Sequence, residues 1–361
     1  MRLRPLTEAQ RGIVVTLLAL GLAALLNAHG LRKLAVIQPE GVRRDVALDV
    51  TAQLVRTSEV VRLDRPRHAL KAALGRELDD RIDTTIDLTP VVEAAPRAPR
   101  SPPPATTESV ETDPGGPAPA ALKPARPAAP ARPAFSPKRP LRLWVAGDSL
   151  VAGPGGSIER AVPSGGAIRI VGVESRVATG LGRPDVYNWY ARFREVIREL
   201  RPHVVVLSFG SNDGHDFLSG VPEGTTIGAL GSPSWLGEYR RRIEGVTHQF
   251  HAAGAHVVWL GLPKTRGEGR NRGFRVVNSV LRAVAASNPE EGEYVDTWRL
   301  FTNRFRSYVD YQRNDEGKLV RMRGADGVHY APAAGDVLAR HLLGLLHERY
   351  DLMSWRRRAA G

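Results

Sequence analysis

Short apolar runs alternate with longer segments of helical periodicity over the C-terminal two thirds of the chain. The runs predict buried strands at Leu141–Ala146, Ile168–Val173, Val204–Phe209, Val257–Leu260 and, more weakly, Tyr294–Val295. The helical segments are Trp189–Leu200, Trp235–Ala253, Phe274–Ser287 and Ala333–Tyr350. Such alternation predicts a parallel sheet covered by helices on both faces. In that architecture ligands bind at the carboxyl ends of the strands, which is where chemistry is expected.

An uncharged apolar stretch, Gly12–Ala28, lies near the N-terminus between basic residues such as Arg11 and Arg32. It has about the minimum length of a membrane-spanning helix, and no polar face interrupts it. A cleaved signal peptide is the main alternative, although Leu26–Ala28 is a poor small-x-small cleavage site. The stretch predicts a single-pass anchor over residues 12–28, with residues 1–11 in the cytoplasm. The C-terminal domain is expected on the extracytoplasmic side, because long domains translocate largely regardless of their charge.

Two segments of different composition separate this anchor from the C-terminal domain. Residues 29–90 mix charges with Leu and Val at loosely helical spacing, which predicts a partly helical, membrane-proximal stalk. Residues 91–140 contain Pro, Ala, Arg and Ser in irregular order, a composition that buries too little apolar surface to offset chain entropy. They predict a disordered linker that gives the domain reach. Residues 351–361 predict a basic tail.

The chain carries a formal net charge of +13 and contains no cysteine. The absence of cysteine excludes disulfides, thiolate zinc sites and a cysteine nucleophile, and leaves the compartment open. The positive charge is scattered, without a basic stripe interleaved with aromatic residues, which argues against nucleic acid as a partner. The two clear clusters, Arg240–Arg242 and Arg356–Arg358, are typical of a solvated helix face and a frayed tail.

The first candidate for chemistry, Gly147-Asp148-Ser149-Leu150, directly follows the first predicted strand. A serine at a strand end is placed where a nucleophile must be presented. The alternative is a turn in which Asp148 and Ser149 cap the next helix. This motif alone does not decide between the two interpretations.

The second candidate, Ser208–Asp213, follows the third predicted strand and therefore lies at the same edge of the sheet. There the side-chain amide of Asn212 can point towards Ser149. An N–H in that position stabilises the oxyanion of a tetrahedral intermediate, a contribution of about 3 kcal/mol. The alternative is a glycine turn with a self-bonded Asn or Asp.

The third candidate, Gly324–Tyr330, lies just before the last predicted helix. Asp326 and His329 are three residues apart on a loop and can share a hydrogen bond. The carboxylate then holds the imidazole in the tautomer that accepts a proton from serine. A metal site is the alternative, but no second histidine or carboxylate lies at ligand spacing.

Together and in this order, the three motifs resemble those of the SGNH, or GDSL-type, hydrolase superfamily over residues 141–350. The resemblance implies a flavodoxin-like three-layer α/β/α sandwich with a mainly parallel five-stranded sheet. It implies the following residues: Ser149 as nucleophile and first block, Gly210 and Asn212 as third block, and Asp326 and His329 as fifth block.

The second block of this superfamily supplies a glycine to the oxyanion hole. Here Ala178–Gly182 stands at that place, with Gly180 as the first choice and Gly182 as a substitute. The oxyanion hole is therefore expected from Ser149, Gly180 and Asn212. The longer run Thr179–Asp185 is similar to that of a bacterial branch of uncharacterised membrane-associated proteins.

The resemblance implies a serine esterase that hydrolyses acetyl or similar esters and needs no metal or organic cofactor. The predicted position outside a membrane on a long linker favours an acetylated cell-envelope polysaccharide or peptidoglycan as the partner. The first block continues as Val151–Gly156 and lacks the extended sequence of the lipase-like branches, which argues against lipase activity. An O-acyltransferase of the same fold and a non-catalytic glycan-binding protein of the envelope are the alternatives. The long insertion Asp216–Trp235 is expected to form either a wall of the pocket or a surface loop.

Overall fold

The structure, a computed structural model, describes residues 7–36, 42–62, 83–91, 132–222, 225 and 227–359. Most of the predicted linker 91–140 and part of the predicted stalk 29–90 lie outside these residues, as do residues 1–6 of the predicted cytoplasmic end. Three helices precede the domain: α1 Glu8–Leu26, α2 Ala28–Val36 and α3 Val42–Val60. Helices α2 and α3 lie within the predicted stalk 29–90.

Helix α1 begins one turn before the predicted apolar stretch. Thr7 and Gln10 form a capping box, in which each side chain accepts a hydrogen bond from the other residue's backbone N–H. None of its residues is buried against the rest of the chain. Among the described residues it is the one helix long and apolar enough to cross a membrane, a test that a signal sequence also passes.

Five strands form one sheet in which every neighbouring pair is parallel. They are β1 Leu141–Gly147, β2 Ile168–Ser175, β3 Val204–Ser208, β4 His256–Leu260 and β5 Gly292–Val295. Their spatial order is β2-β1-β3-β4-β5, the order of flavodoxin-like folds. The predicted α/β architecture with a five-stranded sheet is confirmed.

Helices cover both faces of this sheet. They are α4 Ala152–Ala161, α5 Trp189–Glu199, α6 Pro233–Ala252, α7 Glu268–Ser287, a short α8 Thr297–Leu300, α9 Pro332–Arg349 and α10 Ser354–Ala359. Alternate strand residues such as Trp144 and Val205 pack with α5, α6 and α7. Their neighbours Val145 and Val206 pack with α4 and α9 on the other face. Two cores of comparable size therefore hold the sheet rigid from both sides.

Besides the short helices α8 and α10, two elements were absent from the sequence prediction. Helix α4 lies in a glycine- and proline-rich stretch, a composition that favours loops. Its small residues allow α9 to approach closely: a Cβ on Gly335 would lie 3.0 Å from the carbonyl oxygen of Gly153. The second element is an antiparallel hairpin of β6 Tyr311–Arg313 and β7 Leu319–Arg321.

The packed domain extends beyond the predicted bounds of 141 and 350. Phe135 is buried, with its ring 5.6 Å from that of Tyr350, and Ala134 forms a parallel bridge with Asp351. Leu352 belongs to the core, so the first part of the predicted basic tail is an integral edge of the domain. Residues 83–91, the N-terminal strap, also lie against the domain, with three apolar side chains packed on its core. The prediction of a stalk up to residue 90 is corrected accordingly.

We expect Phe193→Ala to lower the free energy of unfolding by about 3–5 kcal/mol, because it empties the centre of an aromatic cluster. The fully buried Phe193 ring lies within 6.1 Å of four large rings, those of Trp144, Trp189, Phe209 and Phe250. Urea unfolding followed by tryptophan fluorescence measures the change. The matched control is Phe305→Ala, since Phe305 is 72% exposed and should cost less than about 0.5 kcal/mol. Equal losses in the two variants would contradict this account of the core.

Candidate active site

Ser149 follows the carboxyl end of β1 and begins a short 3₁₀ turn, Ser149–Val151, that leads into α4. Asp148 caps this turn by accepting a hydrogen bond from the Leu150 N–H at 2.9 Å. The hydroxyl of Ser149 takes no part in the cap and faces His329 instead. The two interpretations of the first motif therefore apply to different residues: Asp148 is the cap and Ser149 is presented at the edge of the sheet.

Asp148 also joins the first motif, Gly147–Leu150, to the motif Ser208–Asp213. Its second carboxylate oxygen accepts hydrogen bonds from the Ser211 backbone N–H at 3.0 Å and from the Ser211 hydroxyl at 2.7 Å. The carboxyl group is completely buried, which raises the pKa of Asp148 to about 6 even though these donors favour the ionised form. Because β1 and β3 are paired with Gly147 opposite Ser208, the two motifs leave the sheet side by side.

Ser149, His329 and Asp326 form a continuous hydrogen-bonded chain. The distance from Ser149 Oγ to His329 Nε2 is 2.9 Å, and that from His329 Nδ1 to Asp326 Oδ2 is 2.5 Å. The structure thus brings together two motifs that lie 180 residues apart in sequence. A proton on Nδ1, facing the carboxylate, leaves Nε2 free to accept the serine proton.

The loop that carries Asp326 fixes its carboxylate. Asp326 Oδ1 accepts hydrogen bonds from the backbone N–H groups of Val328 at 2.9 Å and His329 at 3.1 Å. Burial acts against ionisation, but the hydrogen bonds from the His329 ring and from these N–H groups outweigh it and lower the pKa of Asp326 to about 2. The side chains of His329 and Asp326 are 45% and 49% exposed, so the imidazole is open to solvent and to large substrates.

The residues predicted for an oxyanion hole meet at the same edge. One amide hydrogen of Asn212 is bonded to the carbonyl oxygen of Thr179 at 2.9 Å, which places the amide beside Gly180 and leaves its second hydrogen available. The backbone N–H groups of Ser149 and Gly180 have no hydrogen-bond partner within the part of the chain that the structure describes. The residues predicted for an oxyanion hole therefore offer three N–H donors that no other described group occupies.

The structure distinguishes between Gly180 and Gly182, the two candidate glycines of the second block. The N–H of Gly182 donates to Asp213 Oδ1 at 2.9 Å and is occupied, whereas that of Gly180 is not. Gly180 also lies so close to Asp213 that an added Cβ would be 1.9 Å from Oδ1, so no other residue fits there. Gly210, from the third block, has a φ of +112°, a conformation that favours glycine.

Asp213 is a functional candidate that the sequence reasoning left unassigned. Its completely buried carboxylate accepts hydrogen bonds from the Leu181 N–H, the Gly182 N–H and the Tyr239 hydroxyl, each at 2.9 Å. Burial raises the pKa of Asp213, and these donors oppose that rise. The carboxylate thus fixes the loop that contains Gly180.

Arg242 holds the same loop from its other side, which corrects the prediction that Arg240–Arg242 is a solvated helix face. Arg242 is completely buried and donates to the carbonyl oxygens of Leu181 at 2.9 Å and Ser219 at 2.7 Å. It also pairs with Glu238, one helical turn earlier, at 2.7 Å. The signal in the sequence was the i, i+4 spacing of Glu238 and Arg242 on the side of α6 that carries its apolar residues.

A cleft of about 290 Å³ adjoins the motif Ser208–Asp213. Its lining consists of Ser211, Gly214, His215, Gly269, Arg270, Gly273 and Phe274. None of these residues belongs to the insertion Asp216–Trp235, so the insertion does not form the wall of this cleft. Its described part is folded against the domain, with Leu218 buried in the core and Asp216 accepting a hydrogen bond from the Leu230 N–H.

Comparisons with known proteins place this geometry in context. No curated protein matches the sequence. Among solved structures, the chain is similar to the lipase/acylhydrolase from Enterococcus faecalis, at 15% identity, with 59% of this chain and 98% of that one covered and a TM-score of 0.42. It is also similar to a GDSL-like lipase from Bacteroides thetaiotaomicron, at 15% identity, with 58% and 90% covered and a TM-score of 0.39.

A third similar structure is a catalytic mutant of an acetylxylan esterase from Geobacillus stearothermophilus, at 16% identity, with 56% of this chain and 92% of that one covered and a TM-score of 0.39. The sheet order and the position of each motif at the carboxyl edge agree with the SGNH-type domain expected from the motifs. A family model described as "Protein of unknown function (DUF459)" matches residues 142–344. The match covers more than half of the chain, which therefore belongs to the DUF459 family.

Proposed function

We propose that this chain is a serine esterase in which Ser149 is the nucleophile, His329 the general base and Asp326 the group that orients the imidazole. The observation that carries the proposal is the unbroken hydrogen-bonded path from Asp326 Oδ2 through the His329 ring to Ser149 Oγ. A serine hydroxyl is a weak nucleophile until an adjacent base can accept its proton, and this path supplies the base.

Catalysis begins when Ser149 Oγ attacks the ester carbonyl and its proton passes to His329 Nε2. Asp326 stabilises the resulting imidazolium without accepting its proton. The tetrahedral intermediate collapses with release of the alcohol, to which His329 returns the proton. Water then attacks the acyl-serine with His329 again acting as base, and the carboxylic acid leaves. No metal or organic cofactor takes part in this scheme.

The negative charge of the tetrahedral intermediate is received by the N–H groups of Ser149 and Gly180 and by the side-chain amide of Asn212. The two backbone donors have no other partner among the described residues, and Asn212 is held in place by its bond to Thr179. Donors fixed before the reaction need no reorganisation as charge develops, and removing one costs about 2.7–4 kcal/mol in comparable sites.

The substrate is proposed to be an acetylated polysaccharide of the cell envelope. Half-exposed side chains of His329 and Asp326 suit an ester group carried on a bulky polymer, which an enclosed pocket would exclude. The apolar helix α1 supports membrane attachment, and the length of the domain after it supports an extracytoplasmic position. An O-acyltransferase would use the same acyl-serine, and it is distinguished by acyl transfer to an added sugar in competition with water.

We expect Ser149→Ala to lower the hydrolysis of 4-nitrophenyl acetate by at least about 10⁴-fold, because the attacking oxygen is lost. The domain should stay folded, since the hydroxyl has His329 as its described partner and lies outside the core. A fluorophosphonate probe should label the wild-type protein but not this variant. Wild-type protein that neither labels nor hydrolyses the ester would favour a non-catalytic glycan-binding role instead.

Asp326 is expected to keep its charge throughout the working pH range. With a pKa lowered to about 2, the carboxylate and its support of the imidazole are lost only as the pH falls through about 2. Between pH 4 and 9 the wild-type rate should therefore contain no step from Asp326. Asp326→Asn should lower kcat/KM about 10⁴-fold across this range, measured in buffers of constant ionic strength. A variant that regains wild-type activity at either end of the range would contradict the assigned role.

We expect Asp213→Asn to lower kcat about 10–100-fold with KM changed less than about twofold, because the oxyanion is formed only during reaction. The N–H groups of Leu181 and Gly182 bind different oxygens of the carboxylate. Asparagine replaces one of these oxygens with an NH₂ donor that opposes the facing N–H, so the loop around Gly180 loses its position. Tyr239→Phe removes one donor to the same carboxylate and should have a smaller effect in the same direction. A large rise in KM at constant kcat would assign Asp213 to substrate binding.

A further inference from the structure

The N-terminal strap, residues 83–91, is held by side chains of two helices that bind its backbone. The amide of Asn188, which caps α5, donates to Asp83 Oδ2 and to the carbonyl oxygen of Thr85, each at 2.9 Å. On the same strap, the carbonyl oxygen of Thr89 accepts from Arg194 of α5 at 2.8 Å and from Gln249 of α6 at 2.9 Å. Hydrogen bonds of this kind fix the register of an extended segment.

Side chains of the strap also fit closely against two glycines of the domain, Gly220 and Gly245. Leu88 fits against Gly245 of α6, where an added Cβ would lie 2.5 Å from Leu88 Cδ1. Ile86 and the carbonyl oxygen of Thr84 fit against Gly220 in the same way, at 3.0 and 2.7 Å from an added Cβ. The groove is thus shaped for this segment, because a larger residue at either glycine would fill the space that the strap occupies.

Charge adds to the fit. Asp87 lies 3.1 Å from Arg194, and this arginine is the same residue that binds the Thr89 carbonyl oxygen. The hydrogen bonds that Asp87 accepts from Thr89 oppose its slight burial, and together with Arg194 they lower the pKa of Asp87. The groove therefore suits an extended, acidic segment with apolar residues at alternate positions.

The helices that bind the strap also hold the loop around Gly180. On α5, Trp189 donates to the Thr179 hydroxyl at 2.9 Å and Tyr190 donates to the Leu181 carbonyl oxygen at 2.7 Å. On α6, Arg242 binds that same carbonyl oxygen, one turn before Gly245. A shift of either helix would therefore change the position of residues 179–182.

We propose that the groove between α5 and α6 is a peptide-binding site whose occupant is the chain's own segment 83–91, and that its docking stabilises the loop 179–182. This inference goes beyond the esterase proposal and holds whether or not Ser149 is catalytic. The strap contacts both helices, through Arg194 of α5 and through Gly245 and Gln249 of α6.

Docking is tested by a disulfide between Leu88→Cys and Gly245→Cys in the full chain, which has no cysteine of its own. The Cβ atom of Leu88 lies 3.0 Å from an ideal Cβ at position 245, close to the usual range for a disulfide of about 3.5–4.5 Å. After oxidation and proteolytic cutting within residues 92–131, the two fragments should migrate together until a reductant is added. The matched control is Val60→Cys with Gly245→Cys, since Val60 is 81% exposed on α3. Fragments that separate without reductant in the Leu88 variant overturn the proposal.

Support of the loop is tested by hydrogen exchange of peptides that contain Leu181 and Gly182, whose N–H groups are bound to Asp213. In full-length Leu88→Asp these amides should exchange on the order of tenfold faster than in wild type, while Val60→Asp leaves them unchanged. Gly245→Leu displaces the strap from the other side and should have the same effect, with a residue that favours helix. Exchange at the wild-type rate in both Leu88→Asp and Gly245→Leu overturns the proposal. The measurement does not depend on ester hydrolysis, so it stands even if the wild-type protein has no esterase activity.

Discussion

The contact between Asp148 and Ser211 is the one on which the site depends. Parallel pairing of β1 and β3 sets the two motifs next to each other, but a strand ending leaves the following residues free to diverge. The buried carboxylate of Asp148 removes that freedom by accepting three hydrogen bonds, two from Ser211 and one from Leu150. Ser149 stands between the two anchored residues 148 and 150, so its hydroxyl direction is set by the backbone on either side. The site is therefore fixed at Ser149 and open to solvent at His329.

A second buried carboxylate, Asp213, organises the neighbouring loop by the same means. Two such groups are costly to bury, and the charge of Asp213 contributes to raising the pKa of Asp148. The donors that surround each group offset that cost: three hydrogen bonds to Asp148, and two N–H groups and the Tyr239 hydroxyl to Asp213. Polar interactions of this kind are directional, whereas apolar packing is not, and direction is what an oxyanion hole requires. Burial of the two carboxylates is unfavourable, but their hydrogen bonds fix the backbone N–H groups of the loops that carry Ser149 and Gly180.

Much of this arrangement could be predicted from the sequence, and the remainder has identifiable physical causes. Strands such as β1 and β3 are mostly apolar because both of their faces are buried, and the residues that follow them include Ser149 and Asn212. The order of the motifs then pointed to Asp326 and His329. Helix α4 was hidden because its glycines serve close packing, as at Gly155, where an added Cβ would lie 2.5 Å from Val173 of β2, and local propensity does not reveal such contacts. Arg242 resembled its exposed neighbours in sequence, and only the tertiary partners Leu181 and Ser219 account for its burial. Asp213 was assigned no role because its partners come from a loop some thirty positions earlier.

The strap changes how the proline- and alanine-rich stretch relates to the rest of the chain. Val91, the first residue of that stretch, packs on the domain, and Ala134 and Phe135, near its end, are paired with Asp351 of the domain. Both of its ends therefore belong to one folded body, so its length does not determine how far the domain stands from helix α1. That distance is governed by the residues between α1 and Asp83. Insertions or deletions within it would change the number of residues between two anchored points of one domain, and would leave unchanged the number of residues that separate α1 from Asp83.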